Sequence, residues 1–159
     1  MIMANIYLYH GSNQTVENPR CDVGAKGRDF GVCFYTTYDR NTAVNWAKKN
    51  YKDHAVLNKY SIDLERLTDG GLKVKRFNAD AEWARFVWSN RFDTKYKRPD
   101  YDIIIGPMAD RGLKEQFMKL RTEDLSFEDI APLIHYDRFK SLQICFCSSY
   151  AISVLNYLN

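Results

Sequence analysis

Tyr9-His10-Gly11-Ser12 and Asp29-Phe30-Gly31-Val32-Cys33-Phe34-Tyr35-Thr36-Thr37 are the two segments on which the reading of this chain turns. Ile6 to Tyr9 reads as a short strand, so His10 stands at a strand end, its backbone held by the sheet and its imidazole free to bond a ligand. Gly11 after it allows close approach of that ligand. Gly31 to Thr37, rich in aromatic and β-branched residues, reads as a second strand. Asp39 then caps a helix running through Ala43, Trp46 and Ala47. Tyr35 and Trp46 therefore lie on consecutive elements that meet at a strand-to-helix corner, where two aromatic faces can sandwich a planar ring. Each feature also has a plain reading. A His-Gly pair is an ordinary turn, and two rings can simply join the core.

The rest of the chain alternates short strands and helices at irregular spacing. Gln14 to Arg28 is irregular, broken by Pro19, Gly24 and Gly27. His54 to Ile62 alternates as a half-buried strand should, and Leu72 to Phe77 is another short strand. Asn78 is expected to cap a helix that carries Trp83, Phe86 and Val87 on one face. Tyr101 to Ile105 reads as a buried strand stopped by Gly106-Pro107. A helix from about Leu113, a capping box of Ser126 and Asp129, a strand from Ser141 to Cys147 and a helix from Ser149 to Leu158 complete the pass. With no repeat and no linker in its 159 residues, the expectation is one α+β domain over residues 1–159, with strands curled against a few helices.

Composition narrows the classes. With 45% apolar and 27% charged residues the chain is globular rather than disordered. A net charge of +3 is too mild to imply a nucleic-acid partner by itself, although Lys48, Lys49 and Lys52 cluster, as do Lys73, Lys75 and Arg76, and Lys95, Lys97 and Arg98. No secretory leader and no run of about 20 apolar residues is read, so a cytoplasmic protein without a membrane partner is expected. Cys145 and Cys147 would point the same way on a strand, but a bare C-x-C is weak evidence for metal. Buried free thiols and no metal are expected.

Taken in order, the two segments resemble the poly-ADP-ribose polymerase and diphtheria-toxin-like branch of the ADP-ribosyltransferases. The remainder looks closer to a bacterial family known as a domain of unknown function and grouped with that fold. The resembling segments are Leu8 to Asn13, Asp29 to Ala47, Glu82 to Arg91, Tyr101 to Asp110 and Gln143 to Leu155. The resemblance implies a cleft for NAD, used as a substrate. His10 would bond the adenosine-side ribose, with Ser12 beside it. Gly11 would offer its backbone to the nicotinamide amide, and Tyr35 would stack on nicotinamide with Trp46 as a second aromatic contact. The branch's third residue is a glutamate, and the matching segment here offers Gln143. A neutral amide can orient a ribose hydroxyl but cannot take its proton or supply charge.

Other acids compete for that third role. Glu82 opens a helix, Asp102 starts the buried strand, and Asp110 lies just past its Gly-Pro end. Asn90 and Arg91 close the helix, and Arg91 serves equally well as a pyrophosphate ligand or a structural ion pair. No Gly-x-Gly-x-x-Gly or P-loop pattern is present, so NAD would not be held in the dehydrogenase manner. The resemblance thus implies a mono-ADP-ribosyltransferase acting on a protein or nucleic-acid acceptor. By analogy it would be an intracellular toxin restrained by an inhibitory partner protein. The competing expectations are an NAD-binding module without turnover, motivated by Gln143, and an RNA-directed protein using the lysine clusters.

Overall fold

Period-two alternation along Ile103-Ile104-Ile105 sets the architecture, because all three side chains are fully or nearly fully buried. Ile103 and Ile105 join one apolar cluster and Ile104 joins the other, so this strand is covered on both faces. In the computed structural model, which describes residues 4–109, 113–134 and 142–159, it lies inside a mixed seven-stranded sheet.

The elements run β1 (Asn5–Ser12), β2 (Phe34–Thr37), α1 (Arg40–Tyr51), β3 (Val56–Asp63), β4 (Val74–Arg76), α2 (Ala81–Phe92), β5 (Ile103–Pro107), α3 (Leu113–Thr122), α4 (Phe127–Ile130), β6 (Leu142–Phe146), α5 (Ser149–Ser153) and β7 (Asn156–Tyr157). The strand order is β4-β5-β6-β2-β1-β3-β7. Among the described residues only the β4–β5 pair is parallel. Trp83, Val87, Phe117 and Ile130 from α2, α3 and α4 pack with Phe30, Ile104 and Cys145 on one face. Leu8, Phe34, Tyr60, Ile62, Ile144 and Phe146 form the cluster on the other. The expected mixed α+β class is what the chain adopts.

Several boundaries differ from the sequence reading, each for a local reason. The strand expected from Gly31 begins only at Phe34. Gly31 sits at φ +82°, its N–H donates to the Arg28 carbonyl at 3.1 Å, and the Arg98 guanidinium donates to the Phe30 carbonyl at 2.5 Å. Those bonds make residues 28–33 a turn and not a ladder. The cap of α2 is Asp80, not Asn78: its carboxylate accepts the Trp83 N–H at 3.0 Å. Gly106 and Pro107 do not stop β5 but belong to it, paired with Gln143 and Leu142. β4 ends at Arg76, so Pro107 has a strand on one side only and costs the sheet no hydrogen bond there.

Asp39 caps α1 as expected, accepting the Thr42 N–H at 2.9 Å, and the Ser126–Asp129 capping box is present. The last helix is shorter than the expected span to Leu158. Asn156 and Tyr157 instead pair with Ser61 and Tyr60 of β3. The Tyr157 ring meets Tyr60 edge-on at 5.6 Å, and this tertiary pairing overrides local helix preference.

Candidate functional site

β1 and β2 are neighbours joined at a single register position, Tyr9 opposite Thr37. Beyond it the strands separate, and the His10 imidazole enters the gap. Its Nδ1 lies 2.7 Å from the Tyr35 carbonyl oxygen, and its ring contacts Phe34 at 4.4 Å between centroids. A carbonyl only accepts, so Nδ1 carries the proton and Nε2 is left as an acceptor, the role a ribose hydroxyl needs. Here the chain opens a cleft of about 730 Å³, within the range of small-molecule sites. His10, Gly11, Ser12, Tyr35, Trp46, Arg91 and Gln143 all line it.

Burial holds the His10 imidazole below its ordinary value of 6.5, the Tyr35 carbonyl opposes this, and the nearby Arg28 reinforces it. Since the folded value lies below the unfolded one, His10 contributes full stability above pH 6.5, and the contribution is lost as pH falls towards its folded value. Denaturation midpoints of the wild type are therefore expected to drop between about pH 7.5 and about pH 5 more than those of His10→Asn. Parallel slopes for the two proteins would mean that His10 takes up its proton alike in the folded and unfolded states.

Tyr35 sits on the same sheet face as Gln143, by the pairings Tyr35–Cys145 and Thr37–Gln143. Its phenol is anchored, accepting the Phe30 N–H at 3.0 Å and donating to the Gly31 carbonyl at 2.7 Å. Burial pushes the phenol well up, so it stays neutral and acts as a flat, fixed surface. Trp46, on α1, carries the Arg28 guanidinium at 5.5 Å above its ring.

Gly11 serves a different approach from the one expected. A Cβ there would lie 2.5 Å from the Ala43 carbonyl oxygen and 2.9 Å from the Ala47 Cβ. The glycine lets α1 press against β1, and its backbone still lines the cleft.

Gln143 is 4% exposed. Its Nε2 donates to Asp29 Oδ2 at 3.0 Å and to the Pro107 carbonyl at 3.3 Å. The other oxygen of Asp29 accepts from Arg91, through Nε at 2.7 Å and through a second, shorter contact from the same guanidinium. Arg91 is thus an ion-pair partner within the cleft wall. Gly106 lets this segment seat: a Cβ there would stand 2.9 Å from the Phe30 ring. Phe30 is fully buried beside Asp29.

The remaining candidates lie elsewhere. Glu82 pairs with Lys75 at 2.5 Å on the surface. Asp102 ties the Ser148 hydroxyl at 2.5 Å and the Lys73 N–H at 2.8 Å. Asn90 turns back onto the Phe86 carbonyl. Asp110 lies outside the described residues. Cys147 meets Cys33 across the sheet, with sulfurs 2.6 Å apart, while Cys145 is buried alone on its strand. The Cys147 hydrogen bond and then Arg98, against burial, hold the Cys33 thiol below its usual range. Among the described residues no group of three or more His, Cys, Asp or Glu could hold a metal ion, and no helix is long and apolar enough to cross a membrane.

Sequence reasoning did not assign Asp29, Arg28 or Lys49 to the cleft. Asp29 had a signal, an acid at the head of the largely apolar run from Phe30 to Tyr35. The two cations carried none, being indistinguishable from solvated surface charges.

The fold and site define an α+β domain with a cation-rich cleft, walled by an anchored tyrosine, a half-buried histidine and a buried acid. The chain belongs to the DUF3990 family, described as a protein of unknown function, and the match runs over residues 6–157. Comparison with curated proteins gives no match, and comparison with solved structures gives none.

Proposed function

We propose that this chain is an NAD-dependent mono-ADP-ribosyltransferase that moves ADP-ribose onto a protein or nucleic-acid acceptor. The observation that carries the reading is that His10 and Tyr35, 25 residues apart, line one cleft and are joined by the bond from the imidazole to the Tyr35 carbonyl. The resemblance of their segments to the ADP-ribosyltransferases supports it. In this reading His10 Nε2 accepts from the adenosine-side ribose, with Ser12 beside it. Gly11 offers its backbone to the nicotinamide amide. Nicotinamide stacks on Tyr35, and Trp46 closes the aromatic wall.

Arg28 and Lys49 line the cleft without a salt bridge among the described residues, and they suit the two phosphates better than Arg91, which Asp29 already holds. The C1′–N bond of the nicotinamide ribose breaks, its electron pair returns to the pyridinium ring, and an acceptor hydroxyl or amine takes the C1′ position. In a cell such an activity needs restraint, and an inhibitory partner protein is the corresponding expectation.

Calorimetric titration with NAD tests the reading. His10→Ala and Tyr35→Ala are each expected to bind at least about tenfold more weakly than wild type, roughly 1.4 kcal/mol. Equal binding by all three proteins removes it. The neutral Gln143 favours one second reading, an NAD-binding module without turnover. Tight binding with no release of nicotinamide from labelled NAD would establish that module instead.

A further inference from the structure

Departure of nicotinamide leaves positive charge on the ribose, which calls for a carboxylate nearby, and Gln143 is not one. Among the described residues that line the cleft, Asp29 is the single acid, set against Arg20, Arg28, Lys49 and Arg91. It is 6% exposed, and both its oxygens are held.

A buried acid of this kind is either a strut or a reacting group. A strut for Arg91 has no need of Gln143, a buried amide from a separate strand whose two neighbours both only accept. The Asp29 carboxylate and the Pro107 carbonyl fix the orientation of that amide, so its NH2 group points at Asp29. Gln143 shares a sheet face with Tyr35, so Asp29, bonded to Gln143, lies in the cleft on the same face of the sheet as the ring on which nicotinamide would stack.

We infer that Asp29 is the catalytic carboxylate of this cleft and that Gln143 and Arg91 are residues that position it; the inference rests on the NAD reading above. Arg91 holds Oδ1 of Asp29 in an ion pair, and Gln143 holds Oδ2. Oδ2, which accepts from Gln143 alone, retains a lone pair, whereas Oδ1 already accepts two bonds from Arg91. Asp29 faces the charge that develops on the ribose as the C1′–N bond breaks. When the acceptor attacks C1′, its proton passes to Asp29 and from there to water.

The experiment compares wild type, Asp29→Asn, Asp29→Glu and Gln143→Ala in the full chain. It reads NAD affinity by calorimetry, nicotinamide release from labelled NAD at saturation, and thermal unfolding. Asp29→Asn is expected to bind NAD within about threefold of wild type and to lower kcat by about 100-fold or more, the scale of losing one preorganised electrostatic group. Asp29→Glu, which keeps the charge one methylene out of place, recovers part of that rate. Gln143→Ala lowers kcat by about tenfold with little change in KM, as loss of positioning should.

An Asp29→Asn protein with wild-type kcat overturns the inference and leaves the NAD reading standing. So does a rate that falls only in step with the folded fraction. Should Asp29→Asn fail to fold, Asp29→Glu decides: an undiminished kcat overturns the assignment. A wild type that binds no NAD, or binds it without releasing nicotinamide, overturns the assignment together with the transferase reading.

Discussion

Arg91→Met is expected to lower stability by about 3 kcal/mol, near the lower end for breaking a buried ion pair from one side. The asymmetry of the pair sets this size. The Arg91 side chain is 31% exposed and the Asp29 side chain 7%. Removing the arginine therefore strands an anion in the wall, with Gln143 Nε2 as its remaining donor. The methionine keeps most of the apolar stem, so the loss reports the guanidinium rather than packing. Chemical denaturation with an unchanged m-value measures it. Combining Arg91→Met with Asp29→Asn should return part of the loss, because the stranded charge goes too. A loss below about 1 kcal/mol for the single variant would show that the pair behaves like a surface bridge.

Tyr35→Phe is expected to cost about 2–3 kcal/mol and also to weaken NAD binding, although the ring itself is retained. The phenol oxygen serves two backbone groups, the Phe30 N–H and the Gly31 carbonyl, and both lie in the turn that presents Asp29. Phenylalanine leaves that donor and that acceptor without partners, at the desolvation cost of each. The turn then loosens, and the ring on which nicotinamide stacks loses the two bonds that anchor it. Denaturation and NAD titration on the same preparation check both halves. Wild-type stability and affinity for Tyr35→Phe would show that only the ring face matters and that Arg98 alone holds the turn.

The residues that come together in the cleft are more legible in the sequence than the strand boundaries, and the physics explains why. His10, Tyr35 and Trp46 sit on elements defined by short-range signals: an apolar run, an aromatic run and an aspartate cap. Such signals survive folding. Gly31 reads as a strand residue because its neighbours favour strands. Its positive φ depends on Arg98, which is remote in sequence and bonds the Phe30 carbonyl. Gly11 was read for a ligand because nothing local reveals that α1 returns to press on it. The pairing of Asp29 with Arg91 and Gln143 spans 62 and 114 residues, a separation across which no spacing rule operates. Pro107 looked like a stop because the early end of β4, which leaves its N side without a partner, is a property of the sheet and not of the segment.

The two outermost strands of the sheet are also its two shortest: β4 with three residues and β7 with two. One margin carries Lys75 and Arg76, and along the other the Leu158 N–H and the Asn159 carbonyl occupy the Lys59 backbone groups. A second molecule arriving side-on would find few vacant amides and, at β4, charged side chains. The sheet therefore resists growing into fibrils by strand addition, and crowded copies of the protein can keep their clefts open to solution.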